Sequence, residues 1–199
     1  MNMASRLCRI TVYFATALWM SPAMAQEDDV FAFIPDGGRT LLAPLLEDAP
    51  TEEATAILTD EKSREEWLAY LQERSNELPG LGELDEHQLL TLADYLFFNM
   101  PLAVERMPAD PGSAEWGGVL PHDGRDLTLN ECQFCHIITV VVTQDRPMSQ
   151  WLGTMNKPSH VEIPLSEKER EALASYLVLN AGIPEDLVPE ELRAGGASY

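Results

Sequence analysis

Cys132, Cys135 and His136 carry the densest chemistry in this chain, spelling Cys-x-x-Cys-His within "NECQFCHII". Beyond position 8 these are the only cysteines. Residues three and four apart on a helical turn share a face, so both sulfurs and the imidazole can converge on one flat object. Two thiols at this spacing can form thioethers with the vinyl groups of haem, while the histidine behind them reaches the iron as proximal ligand. Three other chemistries use some of the same residues. A tetrahedral zinc site draws on a second Cys or His pair, which the sequence does not show. A thioredoxin-like dithiol sits beside a strand-helix-strand pattern, and none is present. A structural disulfide across so short a loop gains little, because the benefit grows with loop length. The spacing favours one covalently attached haem c.

The elements that must position this motif occur twice. "LDEHQLLTLADYLFFN" (84–99) and "LSEKEREALASYLVLN" (165–180) each place an N-cap Asp or Ser before an acidic first turn. Each then sets Leu, Tyr and Leu at i, i+3 and i+4 (Leu92, Tyr95, Leu96; Leu173, Tyr176, Leu177) and stops at Asn, the stripe of an amphipathic helix. Upstream, Trp67 in "EEWLAYL" pairs with Trp151 in "SQWLGTM", and "PDGGRTL" (35–41) with "PHDGRDL" (121–127). The offsets are 81, 84 and 86 residues in the same order, as a duplicated small helical domain predicts. The copies divide near residue 115, where "MPADPGSAEWGG" has linker composition. Where the second copy has "NECQFCH", the first has "LLEDAPTEE", without Cys or His. The only strand candidate is "IITVVVTQ" (137–144), whose position behind the motif also suits an apolar lining. The expected fold class is all-α.

Residues 1–25 read as a secretory signal: Arg6 and Arg9, an apolar run from Ile10 to Met20, and an Ala-x-Ala ending at Ala23 and Ala25. That run is too short to span a bilayer, and nothing later in the chain is long and apolar enough either. Cleavage near Ala25 would remove Cys8 and leave the motif cysteines in a compartment that permits disulfides, so a periplasmic location is expected. The whole chain has formal charge −20; losing two arginines and no carboxylate leaves −22. A surface this acidic excludes nucleic acid as a partner, and it either serves solubility or steers a basic protein partner.

With these residues in view, "CQFCH", a Trp helix and the terminal "LSEKEREALASYLVLNAGI" resemble a class I c-type cytochrome. The likeness is to the small haem subunits of periplasmic dehydrogenases such as the sulfite-oxidising ones, and it covers about 118–184. It implies one covalent haem c in an apolar crevice and single-electron transfer, with thioethers on Cys132 and Cys135 and His136 as proximal ligand. Residues 26–115 would be a degenerate copy without haem, and 116–199 the haem domain. The family's distal Met comes seven residues after the Trp; here that position is Pro158, which cannot ligate iron. Met155, one turn beyond Trp151, and His160, in the loop before the last helix, are the candidates, with His160 favoured by position over Met155 and Met148. A thioether sulfur would raise the potential of the iron, and a second imidazole would lower it.

Ile137, Ile138, Val140, Val141, Trp151, Leu173, Tyr176 and Leu177 are expected to wall the crevice, with Trp151 and Tyr176 touching the cofactor. Arg146 and the backbone of Asp-Gly-Arg (123–125) are candidates to meet haem propionates, and His87 and His122 are expected at the surface. The reading is a periplasmic electron carrier rather than an enzyme, passing electrons to or from a basic redox protein or as the accepting subunit of a dehydrogenase. The alternative is a haem enzyme or small-ligand binder with an open sixth position. The apolar "YLFFNMPL" end of the first copy is expected to pack on the second copy, or else on a partner enzyme.

Overall fold

The computed structural model describes residues 29–78, 80–108 and 115–193. The signal read at 1–25, and the part of the linker at 109–114, lie outside the described residues. The described chain is helical, with no strand among its residues. The first half contributes α1 (Gly38–Asp48), α2 (Thr51–Thr59), α3 (Arg64–Arg74) and α4 (Glu86–Asn99). The second contributes α5 (Trp116–Val119), α6 (Gly124–Leu127), α7 (Thr139–Val142), α8 (Met148–Met155) and α9 (Glu167–Asn180). "IITVVVTQ" is thus not a strand: its β-branched centre forms the single turn α7.

Local chemistry sets where the principal helices begin. Asp85 accepts from Gln88 N at 2.8 Å while its own N–H donates to the Gln88 side chain at 3.0 Å. Ser166 and Glu169 exchange the same pair of bonds at the start of α9, as do Ser63 and Glu66 ahead of α3. Each box satisfies two backbone donors that the helix leaves orphaned. α4 and α9 both end at Asn, as their sequences predict.

Leu92 and Leu96 of α4 bury against Leu42, Leu45 and Leu46 of α1, Ile57 and Leu58 of α2, and Trp67 and Leu71 of α3. This first-half core also takes in Tyr95 and, from the start of the second half, Trp116 and Leu120. The second-half core is smaller: Leu173 and Leu177 of α9 meet Trp151 and Met155 of α8 and Leu127 of α6. Trp67 and Trp151 are both buried, and each lies beneath a cation, Lys62 Nζ at 4.5 Å and Arg146 Cζ at 5.1 Å from the ring centroid.

The halves meet across α4 and α9 through contacts that come in matched pairs. Tyr95 donates its hydroxyl to Pro121 O at 2.9 Å, and Tyr176 donates to Pro35 O at 2.6 Å. Arg39 reaches into the second half, its N–H to Asp123 at 2.8 Å and its guanidinium to Asp126 at 2.6 Å. Arg125 reaches back to Asp29 at 2.9 Å and Ile34 O at 3.3 Å. Gly38 lies under Tyr95 and Gly124 under Tyr176, so close that a Cβ at either glycine would fall 2.1 or 2.0 Å from the tyrosine Cβ. Along the same seam Asp94 is buried, accepting from Arg64 Nε at 2.5 Å and Ser175 Oγ at 2.8 Å. Burial raises its pKa above the usual 3.8 despite both donors. Of "YLFFNMPL", Tyr95, Leu96, Phe98, Met100 and Leu102 are buried within the molecule.

Candidate functional site

α6 continues through a wide π turn, Thr128–Cys132, into a bend over residues 133–136. The motif is therefore not on the regular helical turn that its spacing predicts. One helical bond survives, from His136 N to Cys132 O at 3.2 Å, and it keeps the first thiol and the imidazole on one side. Both cysteines are free thiols. Cys132 faces inward, and burial, followed by Glu131 and Cys135, pushes its thiol up to about 11. Cys135 and His136 are exposed.

Beside the motif lies a cleft of about 1000 Å³, part of it open to solvent. α8 and α9 form its floor with Trp151, Met155, Leu173 and Leu177; α7 supplies Val140 and Val141. Cys132, Cys135 and His136 stand along one side, and the loop between α8 and α9 closes another with His160, Ile163 and Leu165. The rings of His136 and His160 face each other with centroids 6.1 Å apart and planes inclined by 23°. Ser159 Oγ bonds Nδ1 of His160 at 2.9 Å, leaving Nε2 for any ligand. The buried indole Nε1 of Trp151 bonds nothing in the protein.

In a chain dominated by carboxylates, the charged residues of this cleft are Arg146, Lys157 and Arg170 against Glu131 alone. Besides covering Trp151, Arg146 bonds Thr154 Oγ1 at 3.4 Å and Gln144 Oε1 at 3.2 Å, with no carboxylate partner among the described residues. An apolar trough with a cationic lining suits a flat hydrophobic group bearing acidic substituents. Among the described residues no three His, Cys, Asp or Glu side chains converge as a group able to hold a bare metal ion.

Several expected wall residues lie elsewhere. Tyr176 does not line the cleft: its ring covers Gly124 and its hydroxyl serves the other half through Pro35. Ile138 is buried in a separate cluster with Ile34, Val142 and Ile183, and Ile137 is 48% exposed. The two isoleucines diverge because successive residues of a short helical turn point in different directions. The Asp-Gly-Arg backbone at 123–125 likewise belongs to the seam, where Asp123 caps α6 and receives Arg39. His87 and His122 are exposed, His87 against Leu179 O at 2.9 Å.

Arg170 was missed. It stands on α9 at 81 residues from Leu89, the same offset that relates Leu173 to Leu92. An arginine among the buried positions of an amphipathic helix, where the matching helix has leucine, was the available signal. The chain matches no protein-family model, no curated protein and no solved structure. No helix among the described residues is long and apolar enough to cross a membrane.

Proposed function

We propose that this protein is an exported monohaem c-type cytochrome that moves single electrons, with residues 26–115 a haem-less copy of the haem-bearing 116–199. The observation that carries the reading is the pair of imidazoles, His136 and His160, held 6.1 Å apart across an apolar cleft with Cys132 and Cys135 on its rim. When bound, haem c supplies an iron centre that cycles between ferric and ferrous states. Cys132 and Cys135 would each add S–H across one vinyl C=C, sulfur to one carbon and hydrogen to the other, with no electron gained or lost. His136 and His160 would be the residues that ligate its iron. Met155 also lines the cleft, from the last position of α8. Trp151, Val140, Val141, Leu173 and Leu177 would exclude water, and Arg146 and Lys157 would neutralise acidic substituents.

The matched tyrosine and arginine contacts across the seam, and the matched glycine–tyrosine crossings within each half, support the duplication. At the offset of 86, Leu46, Ala49 and Pro50 stand where the second half has Cys132, Cys135 and His136, and Leu46 is core. The first half thus lacks every side chain that would attach a haem. Phe134, 90% exposed, and Ile137 form an apolar rim beside the motif, which in an acidic chain suits a basic redox protein or a dehydrogenase subunit as partner.

The test is the mature protein made in a bacterium competent for cytochrome c maturation. One covalent haem by mass and a low-spin ferric spectrum without the long-wavelength band of methionine ligation are expected. His160→Ala should give a high-spin ferric spectrum and Met155→Leu should not. Colourless protein with the mass of bare polypeptide would refute the reading. A wild-type high-spin spectrum shifted by cyanide would replace the carrier with an open-site haem protein.

A further inference from the structure

The loop that carries His160 has little of its own to hold it. Residues 156–159 are exposed, and so are Val161 and Glu162. Its internal bonds are local turns, such as His160 N to Lys157 O at 2.8 Å and Ile163 N to His160 O at 3.1 Å. Local turns shape a loop without fixing it to the body of the protein.

Arg170 provides the tie. Its side chain is buried on α9, and NH1 donates to Met155 O at 2.8 Å and His160 O at 3.4 Å. NH2 donates to Val161 O at 3.1 Å and Ile163 O at 2.7 Å. One guanidinium therefore gathers four carbonyls from the end of α8 through the loop to Ile163. Among the described residues no carboxylate pairs with it. A buried charge without a counter-ion is retained only where its hydrogen bonds replace water fully, and the planar fork does so where an ammonium cannot. The first half, whose sequence carries no histidine at the corresponding loop, has Leu89 at the matching helix position.

We infer that Arg170 is the positioning residue that clamps the α8–α9 loop and so presents His160 to His136 across the cleft. This rests on the axial role proposed for His160, although the clamp itself can be tested without it.

The experiment uses the ferric holoprotein and the variants Arg170→Met and Arg170→Lys. Cyanide can bind only after His160 leaves, so its binding rate reads the hold on that ligand. We expect cyanide to bind about tenfold faster in Arg170→Met, with a high-spin fraction in the spectrum that added imidazole returns to low spin. Arg170→Lys keeps the charge, loses the fork, and should shift in the same direction. In a His160→Ala background, Arg170→Met should change cyanide binding by less than about twofold, because the two residues then act on one step. A purely structural arginine would lower the melting temperature and leave cyanide binding by the folded protein unchanged. Wild-type cyanide rates in both single variants would overturn the inference. Should the wild-type protein prove to carry no haem, the haem reading fails and hydrogen exchange decides the clamp. Amides of residues 157–163 exchanging on the order of tenfold faster in Arg170→Lys support it, and unchanged exchange overturns it.

Discussion

Replacing Gly124 by alanine probes the close crossing of α6 and α9. An alanine Cβ would lie 2.0 Å from Tyr176 Cβ, 2.3 Å from Cγ and 2.9 Å from Cδ1. Carbon atoms in contact sit about 3.5–4.0 Å apart, so α6 and α9 must part by roughly 1.5 Å. Rotation of the tyrosine gives no relief, because its Cβ moves only with the backbone of α9. Overpacking of this kind costs about 1–3 kcal/mol. Displacing Tyr176 also endangers its 2.6 Å bond to Pro35 O, worth about 0.5–1.5 kcal/mol, while alanine's better helix propensity returns at most about 1 kcal/mol. A net loss of about 2 kcal/mol is expected, read as a lower urea midpoint at unchanged slope. Gly38→Ala should behave alike, since its Cβ would meet Tyr95 Cβ at 2.1 Å. Gly117→Ala and Gly118→Ala, where nothing lies within 4 Å of the added carbon, should stay within about 0.5 kcal/mol of wild type. If Gly124→Ala is as stable as those controls, the close crossing of α6 and α9 is wrong, and with it the placement of Tyr176 at the seam between the halves.

Tyr95→Phe and Tyr176→Phe each remove one bond across that seam, and each should lower unfolding free energy by about 1 kcal/mol; no change for either would mean that water replaces the carbonyl partner. In the cofactor-free chain, iodoacetamide should label exposed Cys135 well before half-buried Cys132, whose thiol at about 11 leaves roughly one thiolate in a thousand at pH 8; equal labelling by peptide mass would show that the two thiols do not differ in environment. Asp94 has a folded-state pKa raised above 3.8 by burial, so the stability it contributes is full below about that pH and lost as pH rises through the folded value. The stability of wild type relative to Asp94→Asn, from urea titrations at several pH values, should therefore fall from about pH 3.8 toward neutrality, and a difference that grows with pH contradicts the assigned environment.

Much of this protein was legible as sequence, because the relevant physics is local. Capping chemistry needs only three residues, so the starts of α4 and α9 at Asp85 and Ser166 could be read directly, and the Leu-Tyr-Leu stripe identified their buried faces. The repeat of Gly, Tyr and Trp at offsets of 81 to 86 was equally visible, as was the reactive grouping of Cys132, Cys135 and His136. Tertiary structure alone decided what those repeats are for. Tyr176 leaves the cleft for the carbonyl of Pro35, 141 residues away in the chain, because the two halves offer each other partners that neither has within itself. It also decided which loop side chain faces His136. Spacing along the chain ranked His160 and Met155 by position, whereas direction depends on where α8 ends and on the four carbonyls that Arg170 gathers. A side chain's aim is set by long-range packing and by its neighbours' unsatisfied bonds, and those do not exist until distant segments have met.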